Sequence, residues 1–499
     1  MSSLWLNSVK DFNFNALDKD LNVDVCIIGA GITGISTAYM LTNAGLNVCI
    51  LERNKICHQT TGNTTAKITA QHGLFYDYLI NTFSFDLAKG YLNANLEAIS
   101  NIKNIIDSEQ IDCDFEFCDN YVFTDLEEEV IKIKHEVLAV NSLGFDAELV
   151  DKIDIPVKCL SAIKFSNQAQ FNPLKYISGL VNSIISSGTQ IFENSKVYDV
   201  KKDGDLYKTY TKNNVVSSKY VVFACHYPIV NAPGFYFLKM YQEASYLIAV
   251  ETSATFNGMY INTKSPIMSF RTALDNDKRV VLIGGSNHKV GTDEDISHCY
   301  SVLEDLAKSI FPDSKVLYLW KTQDCISLDK LPYIGEFSSL WKNAFVATGF
   351  KKWGMTTSHV AANIISDAIL GKENKYADVF LSTRFNPIKN GTEFVNMLKQ
   401  TTSSLIIDKF KVSKDDLESI DKNSAKIIDI NTTKLGIYRD ENDKFYAIKP
   451  VCSHLGCELS WNDLEKTWDC PCHGSRFSFD GKSIYSPSVD DLELIDLDL

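Results

Sequence analysis

Hydrophobic positions near the N-terminus follow the order strand, turn, helix, strand. The apolar run from Val23 to Ile28 has the length of a buried parallel strand, and apolar residues recur at helical spacing from Ile35 to Ala44. A second apolar run from Leu46 to Leu51 follows, and glycines occupy the turn before the helix. Because parallel strands need a crossover connection between them, this order predicts a βαβ unit.

Further along the chain the pattern predicts longer helices and shorter strands. Leu87 to Ile106 and Leu126 to Leu143 are amphipathic at helical spacing, whereas Tyr220 to Ala224 has the pattern of a short buried strand. A late strand is predicted from Phe345 to Gly349, where it enters a turn, and a helix from Thr357 to Leu370. The residue that follows this helix is a glycine, which commonly ends a helix.

The N-terminal unit, about residues 1–400, is predicted to close after that helix. Residues from about Glu373 to Ser404 mix polar and apolar positions without a clear period, which is typical of a crossing segment and a linker. The linker is placed at about 400–410, and a final domain begins near Phe410. A chain of 499 residues has room for about three domains, in agreement with this division.

Composition and charge narrow the classes of partner and compartment. The net charge of -14 disfavours a nucleic-acid partner, which needs a basic surface. The opening residues lack the basic flank and apolar run of a signal peptide, and no run of about 18 apolar residues predicts a membrane span. Four of the 13 cysteines gather near the C-terminus, and the others stand among apolar neighbours, as Cys26 and Cys49 do. This pattern favours a reducing compartment, and we expect the protein in the cytoplasm.

A glycine motif joins the first strand to the first helix. Gly29-Ala-Gly31-Ile-Thr-Gly34 is a GxGxxG, and Glu52 stands at the end of the second strand. The glycines let the backbone approach a pyrophosphate at the helix N-terminus, and the carboxylate accepts hydrogen bonds from ribose hydroxyls. The motif predicts a dinucleotide; the alternative is a glycine turn with a solvated Glu52. The motif by itself fits NAD and FAD equally.

Three further segments favour FAD. Thr61-Gly62-Asn-Thr-Thr65-Ala66-Lys67, Val222-Phe-Ala-Cys225 and Ala347-Thr-Gly349 through Thr356 resemble the D-amino-acid oxidase-like FAD superfamily. The resemblance covers roughly residues 20 to 375. It implies a Rossmann-like FAD-binding domain with an inserted substrate domain built on a mixed sheet. The implied FAD-binding parts are about 20–75, 150–230 and 320–375, and the implied substrate parts are about 75–150 and 230–320.

The same resemblance implies the residues around FAD. The opening Leu4-Trp-Leu and the string Cys225-His226-Tyr-Pro228 are similar to the subgroup that is fused to a Rieske domain, although Cys225 replaces an expected threonine. The implied cofactor-binding residues are Gly29, Gly31, Gly34, Glu52, Arg53, Thr61, Gly62, Thr65, Ala66, Val197, Gly349, Trp353, Gly354, Met355 and Thr356.

The sequence identifies no catalytic residue. Trp353 is interpreted either as a buried structural aromatic or as a wall of the substrate cavity, and Lys351 and Lys352 are interpreted as a solvated pair. Thr356 stands where amino-acid-oxidising members often place a basic residue for the substrate carboxylate. Arg271 is interpreted as a surface or core-edge arginine. A carboxylate clamp is therefore not predicted.

Four potential metal ligands lie close to the C-terminus. Cys452-Ser-His454 and Cys470-Pro-Cys-His473 form C-x-H and C-x-x-H on two predicted loops. Thiolates suit one ferric iron, and neutral imidazoles suit the iron that changes valence because they raise its potential. The alternative is a zinc site with two cysteines and two histidines.

The flanking residues favour the iron–sulfur interpretation. Leu455-Gly-Cys457 and Gly474-Ser475-Arg-Phe477 resemble the Rieske family across residues 411 to 499. The resemblance implies an all-β domain that carries a 2Fe-2S cluster on Cys452, His454, Cys470 and His473. In high-potential members the positions of Cys457 and Cys472 form a disulfide, and the same pairing is a hypothesis here.

Two further positions bear on the cluster's potential. Ser475 matches the family position that donates a hydrogen bond to a bridging sulfide. Phe477 occupies the place of a tyrosine whose hydroxyl reaches a ligand sulfur in high-potential members. Because phenylalanine cannot donate, the predicted potential lies below theirs, within the family range of roughly -150 to +300 mV.

These features predict an FAD-dependent oxidoreductase that oxidises a small amine or amino acid. Electrons would pass from flavin to the cluster and on to an external acceptor protein or quinone. The alternative is a flavin and iron–sulfur reductase that relays electrons from NAD(P)H or a protein donor to a protein acceptor. A redox sensor is disfavoured because no output domain is evident, and a dioxygenase because no 2-His-1-carboxylate iron site is found. His58, His72 and His226 are expected in structural or surface roles, without covalent flavin.

Overall fold

The computed structural model describes residues 2–292, 296–384, 419–430 and 433–495. Within these ranges no helix is long and apolar enough to cross a membrane. The α-helices are α1 Leu4–Ser8, α2 Ile32–Asn43, α3 Tyr76–Thr82, α4 Phe85–Ser108, α5 Glu127–Ser142, α6 Pro173–Ser186, α7 Cys299–Ile310 and α8 Gly354–Ile369. Short 3-10 turns span Thr60–Asn63, Tyr236–Leu238 and Ala377–Phe380.

The strands form two large sheets in the N-terminal part and two small sheets in the C-terminal part of the described chain. The N-terminal strands are β1 Leu21–Ile28, β2 Val48–Leu51, β3 Lys67–Ile68, β4 Glu116–Thr124, β5 Glu148–Val150, β6 Ser161–Gln170, β7 Gln190–Phe192, β8 Asp199–Asp203, β9 Leu206–Tyr210, β10 Val215–Phe223, β11 Met240–Glu251, β12 Met259–Asn262, β13 Ser269–Asp275, β14 Lys278–Lys289, β15 Lys315–Ser327, β16 Tyr333–Ser338 and β17 Trp341–Thr348. The C-terminal strands are β18 Ser424–Ile430, β19 Thr433–Arg439, β20 Phe445–Ile448, β21 Ser460–Asn462, β22 Thr467–Asp469, β23 Arg476–Ser478, β24 Ser483–Tyr485 and β25 Leu494–Ile495.

The first sheet contains the predicted βαβ unit. Its order is β16-β17-β10-β1-β2-β7, in which β17, β10, β1, β2 and β7 run parallel to one another and β16 is antiparallel to β17. The hairpin of β8 and β9 extends it beside β10. α2 packs against α6 and α8, and the second half of β1 and all of β2 are buried and apolar, as expected for central parallel strands. This is the α/β arrangement that the apolar runs predicted.

The second sheet is mixed, in the order β15-β11-β14-β13-β12-β4-β6-β3. Only the β12–β4 pair is parallel among the described pairings of this path. β6 and β3 belong here, although the predicted division placed residues 150–230 and 20–75 in the FAD-binding part. The structure differs at this point because β6 pairs with β4 along most of its length, a tertiary contact that leaves no local signal.

The helices begin earlier than their apolar periodicity predicted. α2 starts at Ile32 and α8 at Gly354, each directly after a glycine-containing turn. Apolar periodicity misses these first turns because glycine and threonine carry no strong apolar signal. The predicted crossing segment is described as far as residue 384, whereas the predicted linker at 400–410 and the predicted domain start near Phe410 lie outside the described residues.

The C-terminal part is all-β in its described ranges. One sheet has the order β18-β19-β20-β25 and the other β21-β22-β23-β24. Trp468 is fully buried between them, and a Cβ on Gly436 would lie 2.8 Å from its ring, so a glycine is needed there. The loops after β20 and β22 carry the predicted metal ligands.

Candidate functional site

The glycine turn after β1 is packed too tightly for side chains. Gly29 has φ +106°, and a Cβ there would lie 2.6 Å from the Ala224 carbonyl oxygen. A Cβ on Gly34 would lie 2.0 Å from the Gly29 carbonyl oxygen. The turn therefore brings the N-terminus of α2 close to the ends of β1 and β10, where its backbone N–H groups can bind an anion.

Glu52 follows β2 and is held in one orientation by the backbone. The Ala30 N–H donates to Oε2 at 2.9 Å, and the Asn54 N–H donates to Oε1 at 3.0 Å. Burial raises the pKa of this carboxyl group, while the two backbone donors oppose that shift. Each carboxylate oxygen keeps a lone pair for a further donor, as a ribose hydroxyl requires.

A first cavity runs from this turn to the segment after β17. Nine of the predicted cofactor-binding residues line it, namely Gly29, Gly31, Glu52, Arg53, Thr61, Val197, Gly349, Gly354 and Met355. Gly34 and Gly62 instead permit close packing, since a Cβ on Gly62 would lie 2.3 Å from the Cys57 carbonyl oxygen. Ala66 and Thr356 are buried supports, and the Thr356 hydroxyl donates to Thr69.

Sequence reasoning missed part of the wall of the first cavity. Asp324 and Cys325 at the end of β15 line it, together with Ile484, Tyr485, Ser486 and Val489 of the C-terminal part. These residues lie far along the chain from the glycine turn and carry no local motif. His226, which was expected in a structural or surface role, also lines this cavity, and its Nε2 is buried without a partner among the described residues.

A second cavity of about 520 Å³ adjoins the first. Thr60, Thr64, Asp324 and Lys352 line both cavities. Thr65 and Trp353, two of the predicted cofactor-binding residues, line the second cavity only. Trp353 lines this cavity, and its ring stacks on the His72 ring at 4.8 Å.

Charged side chains converge on the second cavity, and Lys351 and Lys352, interpreted from the sequence as a solvated pair, both line its wall. Lys352 forms an ion pair with Glu243 at 2.8 Å, and Lys351 lies over the Phe75 ring at 4.4 Å. Burial, together with the charge of Lys330, lowers the pKa of Lys351 to about 8. Burial raises the pKa of Asp324 to about 6. The cavity brings these groups together because β11, β15 and the turn after β17 meet at its wall.

The other candidate residues of the N-terminal part have structural roles. Arg271 is buried and donates to the carbonyl oxygens of Thr65 and Ala66. Its guanidinium also lies 5.4 Å from the Trp5 ring, which places the N-terminal helix against the same turn. His58 contacts Asp11 at the surface at 3.1 Å.

The four predicted cluster ligands lie on two neighbouring loops. The thiols of Cys452 and Cys470 are free and buried, and the rings of His454 and His473 are 5.0 Å apart. The Nδ1 atoms of both histidines are buried without a hydrogen-bond partner among the described residues. Since such atoms are costly to leave unpaired, these two nitrogens and two sulfurs fit the ligand set of a 2Fe-2S cluster.

A disulfide between Cys457 and Cys472 connects the two loops in the structure, with a Cα–Cα distance of 6.6 Å. The Cys470 sulfur lies within 4.8 Å of both of these sulfurs. Because disulfide sulfurs are not thiolate ligands, this group is not itself a metal site. Both bridged cysteines are about 1% exposed, so a reductant has little access to them.

The two positions that bear on the potential are both buried. The Ser475 hydroxyl accepts a hydrogen bond from the Ser488 N–H at 3.0 Å and interacts with the Cys452 thiol. Phe477 packs in the same core as Trp468. The serine can therefore donate toward the cluster site, whereas Phe477 offers only an apolar surface.

The C-terminal part closes the first cavity. The Arg53 guanidinium, in the cavity wall, donates to the carbonyl oxygen of Ser483 at 2.7 Å and to its hydroxyl at 3.1 Å. Lys196, also in the wall, approaches Asp491 at 3.7 Å. Arg53 thus links the predicted cofactor site to β24, the strand that ends at Tyr485.

Two family models match the chain. Residues 24–368 match the model described as DAO, FAD dependent oxidoreductase, and residues 411–496 match the Rieske [2Fe-2S] domain. Both matches confirm the resemblances and the cofactors that the sequence predicted.

Individual proteins share this organisation in whole or in part. The chain is 38% identical over 496 residues to YhfW of Bacillus subtilis, whose name describes a Rieske 2Fe-2S iron-sulfur protein; the match covers 99% of this chain and 97% of that protein. It is 22% identical to gamma-glutamylputrescine oxidoreductase of Escherichia coli, covering 76% of this chain and 90% of that protein. Glycine oxidase from Geobacillus kaustophilus has the same fold over 73% of this chain and all of its own, with a TM-score of 0.63 at 18% identity.

Proposed function

The chain belongs to the DAO family of FAD-dependent oxidoreductases and carries a C-terminal Rieske domain, and on that premise we propose that it oxidises a small amine or amino acid. The electrons leave through the Rieske cluster to an external acceptor protein or quinone. Bound FAD supplies a two-electron acceptor, and the cluster supplies a one-electron carrier.

The shared wall of the two cavities is the observation that carries this proposal. The first cavity, which suits FAD, shares a wall with the second cavity through Thr60, Thr64, Asp324 and Lys352. Ile484, Tyr485 and Ser486 of the Rieske domain also line the first cavity. The second cavity and the Rieske domain would therefore both adjoin the flavin, as a relay from substrate to flavin to cluster requires.

The size of the second cavity supports a small-molecule substrate. About 520 Å³ is within the range of ligand sites, roughly 300–1,000 Å³. Leu247, Ile261 and Ile326 give it apolar surface, so the substrate carries an apolar portion as well as its amine.

The charges of the second cavity favour a substrate with a carboxylate. Glu243 is already paired with Lys352, whereas Lys351 forms a cation–π contact and no ion pair with the described residues. Burial disfavours the charged form of Lys351, and an anion beside it would compensate that penalty. We infer that Lys351 binds the carboxylate of an amino acid. The family resemblance placed Thr356 at the position where a basic residue often has this role.

We also propose that the protein is cytoplasmic and that its Cys457–Cys472 disulfide persists there. Free cysteines such as Cys26 and Cys49 are buried in apolar surroundings, which suits a reducing cytoplasm. The Cys457–Cys472 disulfide persists there because both sulfurs are buried. Mass spectrometry measures this directly when cells are quenched with acid and the protein is denatured before its free thiols are alkylated; alkylated Cys457 or Cys472 would contradict the disulfide.

Anaerobic titration of the purified holoprotein tests the function. Amino acids, other amines and NAD(P)H are added one at a time while the flavin absorbance and the electron paramagnetic resonance spectrum are recorded. We expect an amino acid to bleach the flavin, after which the rhombic signal of a reduced Rieske cluster grows. Reduction by NAD(P)H alone would support the reductase alternative instead.

A single substitution tests the substrate class. Lys351→Met keeps the length and much of the volume of the side chain but removes its charge. A hydrogen bond to a charged group is worth about 1.5–3 kcal/mol, so we expect kcat/KM for amino acids to fall about 10- to 100-fold, while the value for amines without a carboxylate stays the same. Lys342→Met, at the exposed ion pair with Glu336, is the matched control. An equal fall for both substrate groups would contradict the role of Lys351.

A further inference from the structure

We propose that the N-terminal part of the chain closes the imidazole edge of the cluster site, and that Asn231 sets the reduction potential of the cluster through His454. This inference deepens the proposed function because it concerns the side of the cluster that faces the flavin domain. Asn231 is a positioning residue: it contacts a ligand of the cluster and not the cluster itself.

The contact between His454 and Asn231 fixes one imidazole. Nε2 of His454 lies 2.6 Å from Oδ1 of Asn231, which belongs to the segment between β10 and β11. With Nδ1 taken by iron, Nε2 of a neutral imidazole must carry the proton and donate it. The amide oxygen of Asn231 is therefore the acceptor, and its partial negative charge stabilises the more positive, oxidised state of the site.

Phe237 covers both imidazole rings. Its ring centroid lies 6.3 Å from that of His454 and 5.9 Å from that of His473, at nearly perpendicular orientations. The backbone of Phe237 is also within hydrogen-bonding reach of the His473 ring. An external molecule cannot reach both imidazole nitrogens without displacing this residue.

Two buried glutamines of the second sheet hold the ligand loop that carries Cys470 and His473. The Gln242 amide on β11 donates to the carbonyl oxygens of His473 at 2.7 Å and Ser486 at 2.8 Å. Gln323 on β15 donates to Gln242 at 2.7 Å and to the Gly474 carbonyl oxygen at 2.8 Å. The loop is thus fixed to the same sheet that forms the wall of the second cavity.

Glycines allow this close contact. A Cβ on Gly474 would lie 2.7 Å from Cβ of Gln242, and a Cβ on Gly291 would lie 2.5 Å from the backbone nitrogen of Pro471. Both glycines have positive φ, +78° and +74°. Backbone packing of this kind is typical of a fixed contact between the two parts of the chain and not of a loosely tethered domain.

The closed edge has a consequence for the external acceptor. Since Asn231 pairs with His454 and Phe237 lies against both imidazoles, a quinone would have to displace one of these residues to form a hydrogen bond to a histidine ligand. Electrons must leave the cluster from a different face of the Rieske domain. The imidazole edge remains available for electrons that arrive from the flavin site.

Redox titration of two variants tests the role of Asn231. Holoprotein is reduced with dithionite in the presence of mediators, and the cluster is followed by electron paramagnetic resonance. We expect Asn231→Leu to raise the midpoint potential, because it removes the acceptor, and Asn231→Asp to lower it, because it adds a negative charge. Both variants should also shift the g-values of the reduced cluster. Asn442→Asp, at an exposed turn of the Rieske domain, adds the same charge and should change neither the midpoint potential nor the g-values.

The outcome is independent of the substrate. The titration uses a chemical reductant, so failure of every amine to reduce the flavin leaves this test valid. Asn231→Asp retains the shape of the side chain, so its midpoint potential tests the role of Asn231 even if Asn231→Leu does not fold. An unchanged midpoint potential in Asn231→Asp would overturn the proposal, and so would a shift of the same size in Asn442→Asp.

Discussion

At the scale of single residues, Ser475 is the donor on which the cluster's potential depends most directly. Its buried hydroxyl interacts with Cys452, and a donor to a sulfur stabilises the added electron. A hydrogen bond to a charged acceptor is worth about 1.5–3 kcal/mol, which corresponds to roughly 60–130 mV for a one-electron couple. We expect Ser475→Ala to lower the midpoint potential by tens of millivolts, up to about 100 mV. Redox titration measures the shift, and Ser478→Ala, three residues further along at the end of β23, is the control.

The buried carboxyl group of Asp324 makes stability depend on pH. Burial raises its pKa to about 6 from 3.8, so its contribution to stability is fully present below the unfolded value and is lost as the pH rises through 6. Two pKa units correspond to about 3 kcal/mol. Asp324→Asn should therefore stabilise the protein at pH 8, by about 1 kcal/mol more than at pH 5.

Denaturant unfolding at the two pH values measures this difference. Asp305 is exposed on α7, and Asp305→Asn should change the free energy of unfolding by less than about 0.5 kcal/mol at either pH. The same stabilisation by Asp324→Asn at pH 5 and pH 8 would mean that the carboxyl group is not protonated in the folded protein.

At the scale of elements, the contact between α2 and β1 decides whether FAD is retained. A Cβ on Gly34 would overlap the Gly29 carbonyl oxygen, so Gly34→Ala must move α2 away from the turn. We expect the variant to lose most of its bound flavin, measured as the ratio of flavin to protein after gel filtration. Gly45→Ala is the matched control: Gly45 has φ +86° and nothing near its Cβ, so the cost is about 1 kcal/mol of strain and flavin should be retained.

Elements whose signal is local could be predicted from the sequence. The βαβ unit follows from consecutive apolar runs around Gly29, and the cluster loops follow from the spacing of Cys452 and His454. β6 was assigned to the wrong part because its place depends on pairing with β4. Asp324 was missed for a similar reason, since a single carboxylate at the end of β15 becomes part of a site only when β15 reaches the first cavity.

At the scale of the whole molecule, the Rieske domain is part of the wall of the flavin site. Tyr485 and Ser486 line the first cavity, and Gln242 ties the Ser486 carbonyl oxygen to the second sheet. The proposed transfer from substrate through flavin to cluster depends on this contact between the first cavity and the Rieske domain. Neither family segment alone contains the complete wall, which explains why motif analysis recovered the cofactors but not the closure of their site.

Substitution of Arg53 tests whether the Rieske domain helps to retain FAD. Arg53 can bind the cofactor directly, or it can hold the Rieske domain against the first cavity. The sequence predicted a cofactor-binding residue, whereas the structure shows its guanidinium donating to Ser483. Arg53→Ala removes both hydrogen bonds, so we expect faster amide hydrogen exchange over residues 483–491 together with faster release of FAD. Lys342→Ala, at a surface ion pair, should change neither. If FAD release accelerates while exchange at 483–491 stays slow, Arg53 holds the cofactor directly and the Rieske domain does not retain it. If exchange accelerates and FAD stays bound, the domain covers the site without contributing to affinity.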